Sequence, residues 1–254
     1  MIDRRHLILG SAALALSGCK VFDSASGSDS ALRQLFASHE GLTRSAQRAL
    51  IGDRLAPEFT EADIRQGQRP NGSTDPVDAA YRQMAQTAFL DYRLTVTGLV
   101  ESPQSLSLAE MAALPARSQI TRHDCVEGWS CIAKWQGVPL GAVLKLAQPK
   151  VTARYAVFHC FDAIERSLSG EVFYYESIDL IDAYHPQTIL AYAMNDAPLP
   201  VANGAPLRLR VERQLGYKMA KYVHTIELTD SLAALGFGKG SYWADRGYEW
   251  YAGI

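Results

Sequence analysis

The chain has 254 residues, of which 48% are hydrophobic and 20% charged, with a formal net charge of −2. That balance is the composition of an ordinary globular protein, long enough for one large domain or a compact pair with a substantial core. It gives no general pull toward nucleic acid or anionic lipid, so no nucleic-acid partner is expected.

The first segment reads as an address. Asp3-Arg4-Arg5-His6-Leu7-Ile8-Leu9 resembles a twin-arginine motif, a signal read by an export receptor. The apolar run from Leu7 to Leu16 is too short to span a bilayer and reads as a signal h-region. It ends in Leu16-Ser17-Gly18-Cys19, which resembles a bacterial lipobox. On that resemblance residues 1–18 are removed, Cys19 carries the lipid, and the protein is periplasmic and tethered to a membrane. The alternative is an ordinary secretory peptide cleaved near Gly18. Residues 19–30 are small and polar, a tether between anchor and body.

The body begins with a helical and irregular segment over 31–69. Leu32, Leu35, Phe36, Leu42, Ala46 and Leu50 recur at loosely helical spacing, interrupted by Gly41. From Pro57 to Pro76 the chain is polar, and Pro70-Asn71-Gly72 signals a turn. The main domain is expected over 70–254. Tyr92–Thr97 alternates as a half-buried strand does. Ser107-Leu108-Ala109-Glu110 matches a capping box whose helix stops before Pro115. Helices are expected over Leu140–Leu146 and Ile178–Ala183, and strands over Arg154–Phe161, Thr188–Met194, Pro206–Val211 and Tyr217–Leu228. In the third of these, Leu207, Leu209 and Val211 alternate with Arg208, Arg210 and Glu212, giving one apolar and one charged face. The aromatics from Tyr242 to Tyr251 are expected to seal a core edge. Regular βαβ periodicity is missing, so the fold class is α+β with mixed or antiparallel sheet and short helices.

Chemistry concentrates in Arg122-His123-Asp124-Cys125-Val126-Glu127-Gly128-Trp129-Ser130. A thiolate is a soft metal ligand, and Arg122 and His123 could lower its pKa. Gly128 would let the backbone pass close to a bulky group. Cys131 offers a competing disulfide if the chain turns back at Gly128, in an oxidising compartment. Metal site and disulfide stay open on the residues alone. A zinc site is weaker, because no CxxC or HExxH spacing occurs; so is a Cys125–His123 nucleophile pair. Further on, Asn203-Gly204-Ala205-Pro206-Leu207-Arg208 and Gly216-Tyr217-Lys218-Met219-Ala220-Lys221 gather donors suited to an anionic group such as a phosphate. The bland alternative is a solvated strand face beside a turn.

Taken in order, the block from His123 to Ser130, the NGAPLRLR run from Asn203 and the LGYKMAK run from Leu215 resemble the molybdopterin-dependent oxidoreductases of the sulfite oxidase superfamily. The likeness is greatest to the bacterial periplasmic branch that holds the methionine sulfoxide reductase catalytic subunit, and covers about Pro70 to the C-terminus. The resemblance implies a sulfite-oxidase-like fold and molybdenum carried by molybdopterin. It implies Cys125 as the thiolate on molybdenum, with Glu127 near the metal. It implies Asn203, Arg208, Met219, Ala220 and Lys221 as cofactor contacts, and Asn71 as the upstream cofactor loop. Cys160 stands where that branch has a cofactor-touching threonine.

Val126-Glu127-Gly128-Trp129 replaces the paired arginines with which sulfite oxidases meet their anion, so sulfite is not the expected substrate. A small molecule or a protein side chain, processed by two-electron oxygen-atom transfer, is expected instead. The chain ends soon after the core, so a monomer is expected rather than the superfamily's dimer. It has no CxxCH and no GxGxxG, and its four cysteines are too few for an iron–sulfur cluster once Cys19 and Cys125 are assigned. Electrons are therefore expected to pass through a separate partner, a membrane haem or quinone protein or a cytochrome.

Overall fold

A computed structural model of the chain describes residues 31–167 and 170–254. The leader, Cys19 and the tether lie outside the described residues. The described residues divide into two units between Gly52 and Asp53, 31–52 and the rest. In the first, helix α1 (Ala31–Ile51) runs through Gly41 without a break. The expected boundary at residue 70 falls inside the second unit, because residues 53–69 lie across its strands. Phe59 N donates to Ile120 O at 2.9 Å and Arg65 N to Ile132 O at 3.1 Å.

The second unit follows in chain order. Helix α2 (Ala79–Gln86) is capped by Asp78, whose Oδ1 accepts from Tyr81 N at 2.8 Å. Strands β1 (Arg93–Gly98) and β2 (Gln104–Ser107) precede α3 (Leu108–Ala112). The expected capping box is formed: Ser107 Oγ accepts from Glu110 N, and Glu110 Oε2 accepts from Ser107 N at 2.8 Å. Next come β3 (Arg117–Cys125), β4 (Trp129–Pro139), α4 (Leu140–Ala147), β5 (Tyr155–Ser167) and β6 (Gly170–Asp179). After α5 (Leu180–Ala183) the chain adds β7 (Ile189–Met194), β8 (Ala197–Pro198), β9 (Arg208–Arg210) and β10 (Val223–Thr229).

Two sheets result, ordered β2-β1-β10-β5-β6 and β3-β4-β7-β8, with β9 also paired to β7. Among the described residues only β1 and β10 pair in parallel; the other ladders are antiparallel. This is the α+β arrangement that the sequence implies. One core holds both sheets together, with Tyr92, Leu94, Trp135, Phe158, Leu209 and Ile226 fully buried.

Several elements differ from expectation. The β3–β4 hairpin and β6 carry polar residues among their inward positions, such as Gln119, Thr121, His123 and Glu176, which masks their alternation. The segment from Tyr217 divides into a 3-10 turn (Gly216–Lys218) and β10. Strand β9 alternates as expected but buries both faces: Arg208 and Arg210 are 1% and 0% exposed. Trp135 supplies the reason. The Arg208 and Arg210 guanidinium carbons lie 4.9 and 4.3 Å from its ring centroid, and Arg210 clamps Glu212 through two bonds of 2.8 and 2.6 Å. Stacking and bidentate pairing are what let a buried guanidinium persist.

Candidate functional site

Sequence-distant segments meet around a cavity of about 420 Å³. Asn71, Gly72 and Ser73 come from the loop before α2, and Cys125, Val126 and Glu127 from the β3–β4 turn. Asp162, Ala163 and Ile164 come from β5, Tyr174 from β6, and Tyr217, Met219 and Lys221 from the segment before β10. Trp243 and Tyr248 close it from the C-terminal region. Asn71, Cys125, Glu127, Met219 and Lys221 thus line one space. Asn203, Arg208 and Ala220 lie directly behind Lys221. Cys160 is 1% exposed in β5 and lines a neighbouring cleft with His159 and His224 instead.

Cys125 is placed by a hairpin. It pairs with Trp129, leaving Val126-Glu127-Gly128 as a three-residue loop, with Gly128 at φ +83° and its N–H donating to Cys125 O at 3.0 Å. That geometry is a type I turn closed by a left-handed residue, so the turn itself requires glycine. The ladder also settles the disulfide alternative. Cys131 stands opposite His123, not Cys125, diagonal neighbours on a sheet lie about 7–8 Å apart, and both thiols are free.

The charges expected beside Cys125 go elsewhere. Arg122 points to the other face and binds Asp124 at 2.9 Å. His123 is buried, and burial together with Arg210, Arg208 and Lys221 holds it neutral, well below the usual histidine range. Burial pushes the Cys125 thiol up, with the Glu127 carboxylate adding to it and Arg69 opposing. A bound cation would favour the thiolate form of this sulfur. Glu127 is half-exposed, accepts from Trp129 Nε1 at 2.9 Å and pairs with Arg69 at 3.5 Å.

The donors behind Lys221 form a cradle. Gly204, at φ +112°, lets Lys221 and Arg208 approach so closely that a Cβ there would lie 2.9 Å from Lys221 Cβ and 3.2 Å from Arg208 Cβ. Arg208 Nη1 donates to Asn203 O at 2.9 Å, while its Nε and Nη2, and Asn203 Nδ2, are buried without partners. Lys221 Nζ donates to Ala202 O at 3.0 Å and to Ser73 O. Burial first, then the neighbouring Arg208, lowers Lys221 to about 7. Burial and Arg210 lower Arg208 to about 9. Cationic groups packed this way favour a bound anion, which would satisfy the orphaned donors and restore their charge. The residues present therefore fit a polar, anionic cofactor. Lys218 is no part of this cradle: it is buried against Glu176 and Ser177 O.

Several site residues carry no sequence signal of their own. Ser73, Asp162 and Tyr174 reach the cavity through loop and strand placement. Trp243 and Tyr248, expected to seal a core edge, form its wall, while Tyr242 does the sealing at 1% exposure. His123 packs against Gly216, where a Cβ would lie 2.4 Å from its Nε2. Its Nδ1 lies 3.0 Å from Arg210 Nη1, and since arginine only donates, the proton of the neutral ring is on Nε2.

Comparison with known proteins gives this geometry a family. A protein of Azospira oryzae named "Putative protein-methionine-sulfoxide reductase subunit YedZ1" is 35% identical over 98% of this chain and 86% of its own length. The protein-methionine-sulfoxide reductase catalytic subunit MsrP of Xanthomonas campestris is 38% identical over 63% of this chain, and that of Gluconobacter oxydans 36% identical over 56%. The chain spans about half the length of these two MsrP proteins, 50% and 48%. The sulfane dehydrogenase SoxCD of Paracoccus pantotrophus matches 56% of this chain and 39% of its own at a TM-score of 0.49 and 22% identity. The family described as "Oxidoreductase molybdopterin binding domain" matches residues 81–234. The chain belongs to that family, the molybdopterin-dependent oxidoreductases of the sulfite oxidase type.

Proposed function

We propose that this enzyme reduces methionine sulfoxide, free or in proteins, by two-electron oxygen-atom transfer, with Cys125 as the protein's thiolate on molybdenum. The observation that carries the reading is one site holding both a free thiol and a set of buried, unpartnered donors. Among the described residues no group of three or more His, Cys, Asp or Glu stands ready to hold a bare metal ion. Cys125 fits a metal that arrives with ligands of its own.

When bound, molybdopterin supplies a metal centre that exchanges an oxygen atom and two electrons. Asn203, Arg208 and Lys221 hold its anionic end, and Met219 and Ala220 pack beside them. Asn71 closes the site from the loop that Lys221 and Tyr222 pin through Ser73 O. Tyr217, Trp243 and Tyr248 give the substrate an apolar wall suited to a thioether arm. Glu127 at the mouth offers acceptors, the wrong chemistry for sulfite.

The sulfoxide substrate is supported by the names of the relatives. Export by the twin-arginine route, lipidation of Cys19 and a separate electron-transfer partner complete the reading; an anchor would raise the effective concentration of a membrane partner. The test is to produce the protein in a host that makes the cofactor, then measure molybdenum, pterin and turnover of a sulfoxide-bearing protein with an artificial electron donor. Stoichiometric molybdenum and thioether formation are expected. A purified protein without molybdenum, or loaded protein inert toward every sulfoxide, refutes the reading.

A further inference from the structure

Two carboxyl groups line the cavity, and they differ. Glu127 is on the rim, engaged with Trp129 and Arg69. Asp162 is inside, 4% exposed. Ser73 Oγ donates to its Oδ2 at 2.8 Å, and its Oδ1 is buried with no partner. A buried carboxylate with a bare oxygen is costly; a carboxylic acid there is not, because the protonated oxygen becomes a donor that can aim at a ligand.

Sulfoxide reduction needs such a donor. The net reaction takes one sulfoxide, two electrons and two protons to one thioether and one water. One S–O bond breaks and two O–H bonds form. The two electrons would come from the reduced metal–pterin centre, which a separate electron carrier would refill, two electrons per turnover. We propose that Asp162 is the acid that delivers these protons to the departing oxygen, recharging from solvent between the two. This rests on the sulfoxide reading above.

The other groups facing Asp162 are poorly placed for the task. Lys221 Nζ already donates to two carbonyls. Tyr174 donates to Tyr217 O and Glu176, and burial raises it far above neutrality. Tyr81 donates to Ala205 O at 2.8 Å, Tyr222 to Ser73 O at 3.0 Å, and Cys160 is a fully buried thiol pushed up by burial. Burial pushes Asp162 itself up to about 6, with Ser73 and Lys221 opposing. That value is close to the range in which an acid works at neutral pH.

Asp162→Asn in the cofactor-loaded enzyme is the test, with pterin content, the pH profile of kcat and the infrared carboxylic-acid band read together. In the wild type kcat should fall as pH rises through the Asp162 pKa, in step with loss of a buried carboxylic-acid band. The variant should keep its pterin, lose kcat by about a hundredfold, and lose both limb and band. A variant retaining the limb, or losing pterin in proportion to activity, overturns the assignment; the second result would make Asp162 a brace for the Ser73 loop. Should Asp162→Asn fail to fold, Asp162→Glu replaces it: limb and band shifting together support the role, and an unshifted limb overturns it. Loaded wild-type protein with no sulfoxide turnover is a different failure, that of the substrate reading, and the proton role falls with it.

Discussion

Gly204 and Lys221 are packed without room for a methyl group between them: a Cβ on Gly204 would stand 2.9 Å from Lys221 Cβ and 3.0 Å from its Cγ. The contact sets the distance between the Asn203 turn and the lysine segment, and Tyr222 N donates to Gly204 O at 3.3 Å across the same junction. Gly204→Ala meets both the positive φ of +112° and this collision. The change should cost about 1–3 kcal/mol of stability and lower pterin content more than any surface substitution. Denaturant unfolding and pterin fluorescence of the denatured extract check it.

Arg208→Met should separate cofactor holding from folding. Arg208 is buried with two donors unpartnered, and removing a poorly compensated buried charge is often neutral or stabilising. The empty protein should keep its unfolding free energy within about 1 kcal/mol of wild type, the size of the lost bond to Asn203 O. Pterin content after production in a cofactor-making host should fall sharply. A variant that unfolds but loads normally would reverse the argument.

Lys221 predicts a pH effect on the empty protein. Its folded value is about 7, against about 10.4 for a free lysine. Between these values the unfolded chain holds a proton that the folded chain has lost, so this residue's contribution to stability rises with pH across that window. It is fully present above the unfolded value and lost as pH falls toward 7. The limiting slope is about 1.4 kcal/mol per pH unit. Lys221→Met should remove that slope, as seen in denaturant midpoints between pH 7 and 9. Retention of an anionic cofactor should show the opposite trend and weaken as the lysine loses its proton.

Cys125→Ser should leave the fold intact, since the residue ends β3 at a turn closed by backbone and by Gly128. Turnover should vanish, together with the protein-sulfur contribution to the molybdenum X-ray absorption spectrum. An unaltered spectrum in this variant would remove Cys125 from the metal.

Glu176→Ala should be the most damaging change near the site. Glu176 and Lys218 are 0% and 1% exposed and paired, and the pair ties β6 to the 3-10 turn that precedes Met219. Removing the carboxylate strands a buried lysine, a loss of about 3–5 kcal/mol. Thermal unfolding measures it, and Glu176→Gln, which keeps an acceptor for Lys218, should lose less.

Local chemistry was legible in the sequence wherever neighbours along the chain decide the outcome. Ser107 and Glu110 close a capping box three residues apart. Three motif blocks in order mark the family and the residues from Asn203 to Lys221. What the sequence could not decide is which polar side chains lie inside. Arg208 and Arg210 alternate with leucines as they would on a solvent-facing strand, and Lys218 and Lys221 belong to one short basic run. Burial of the arginines is set by Trp135 across the β7 ladder, and the fate of Lys218 by Glu176 on a strand some forty residues earlier. Asp162 becomes part of the site only because β5 carries it past the Ser73 loop. A strand's pattern tells its two faces apart, but which face meets solvent depends on what the rest of the chain packs against it.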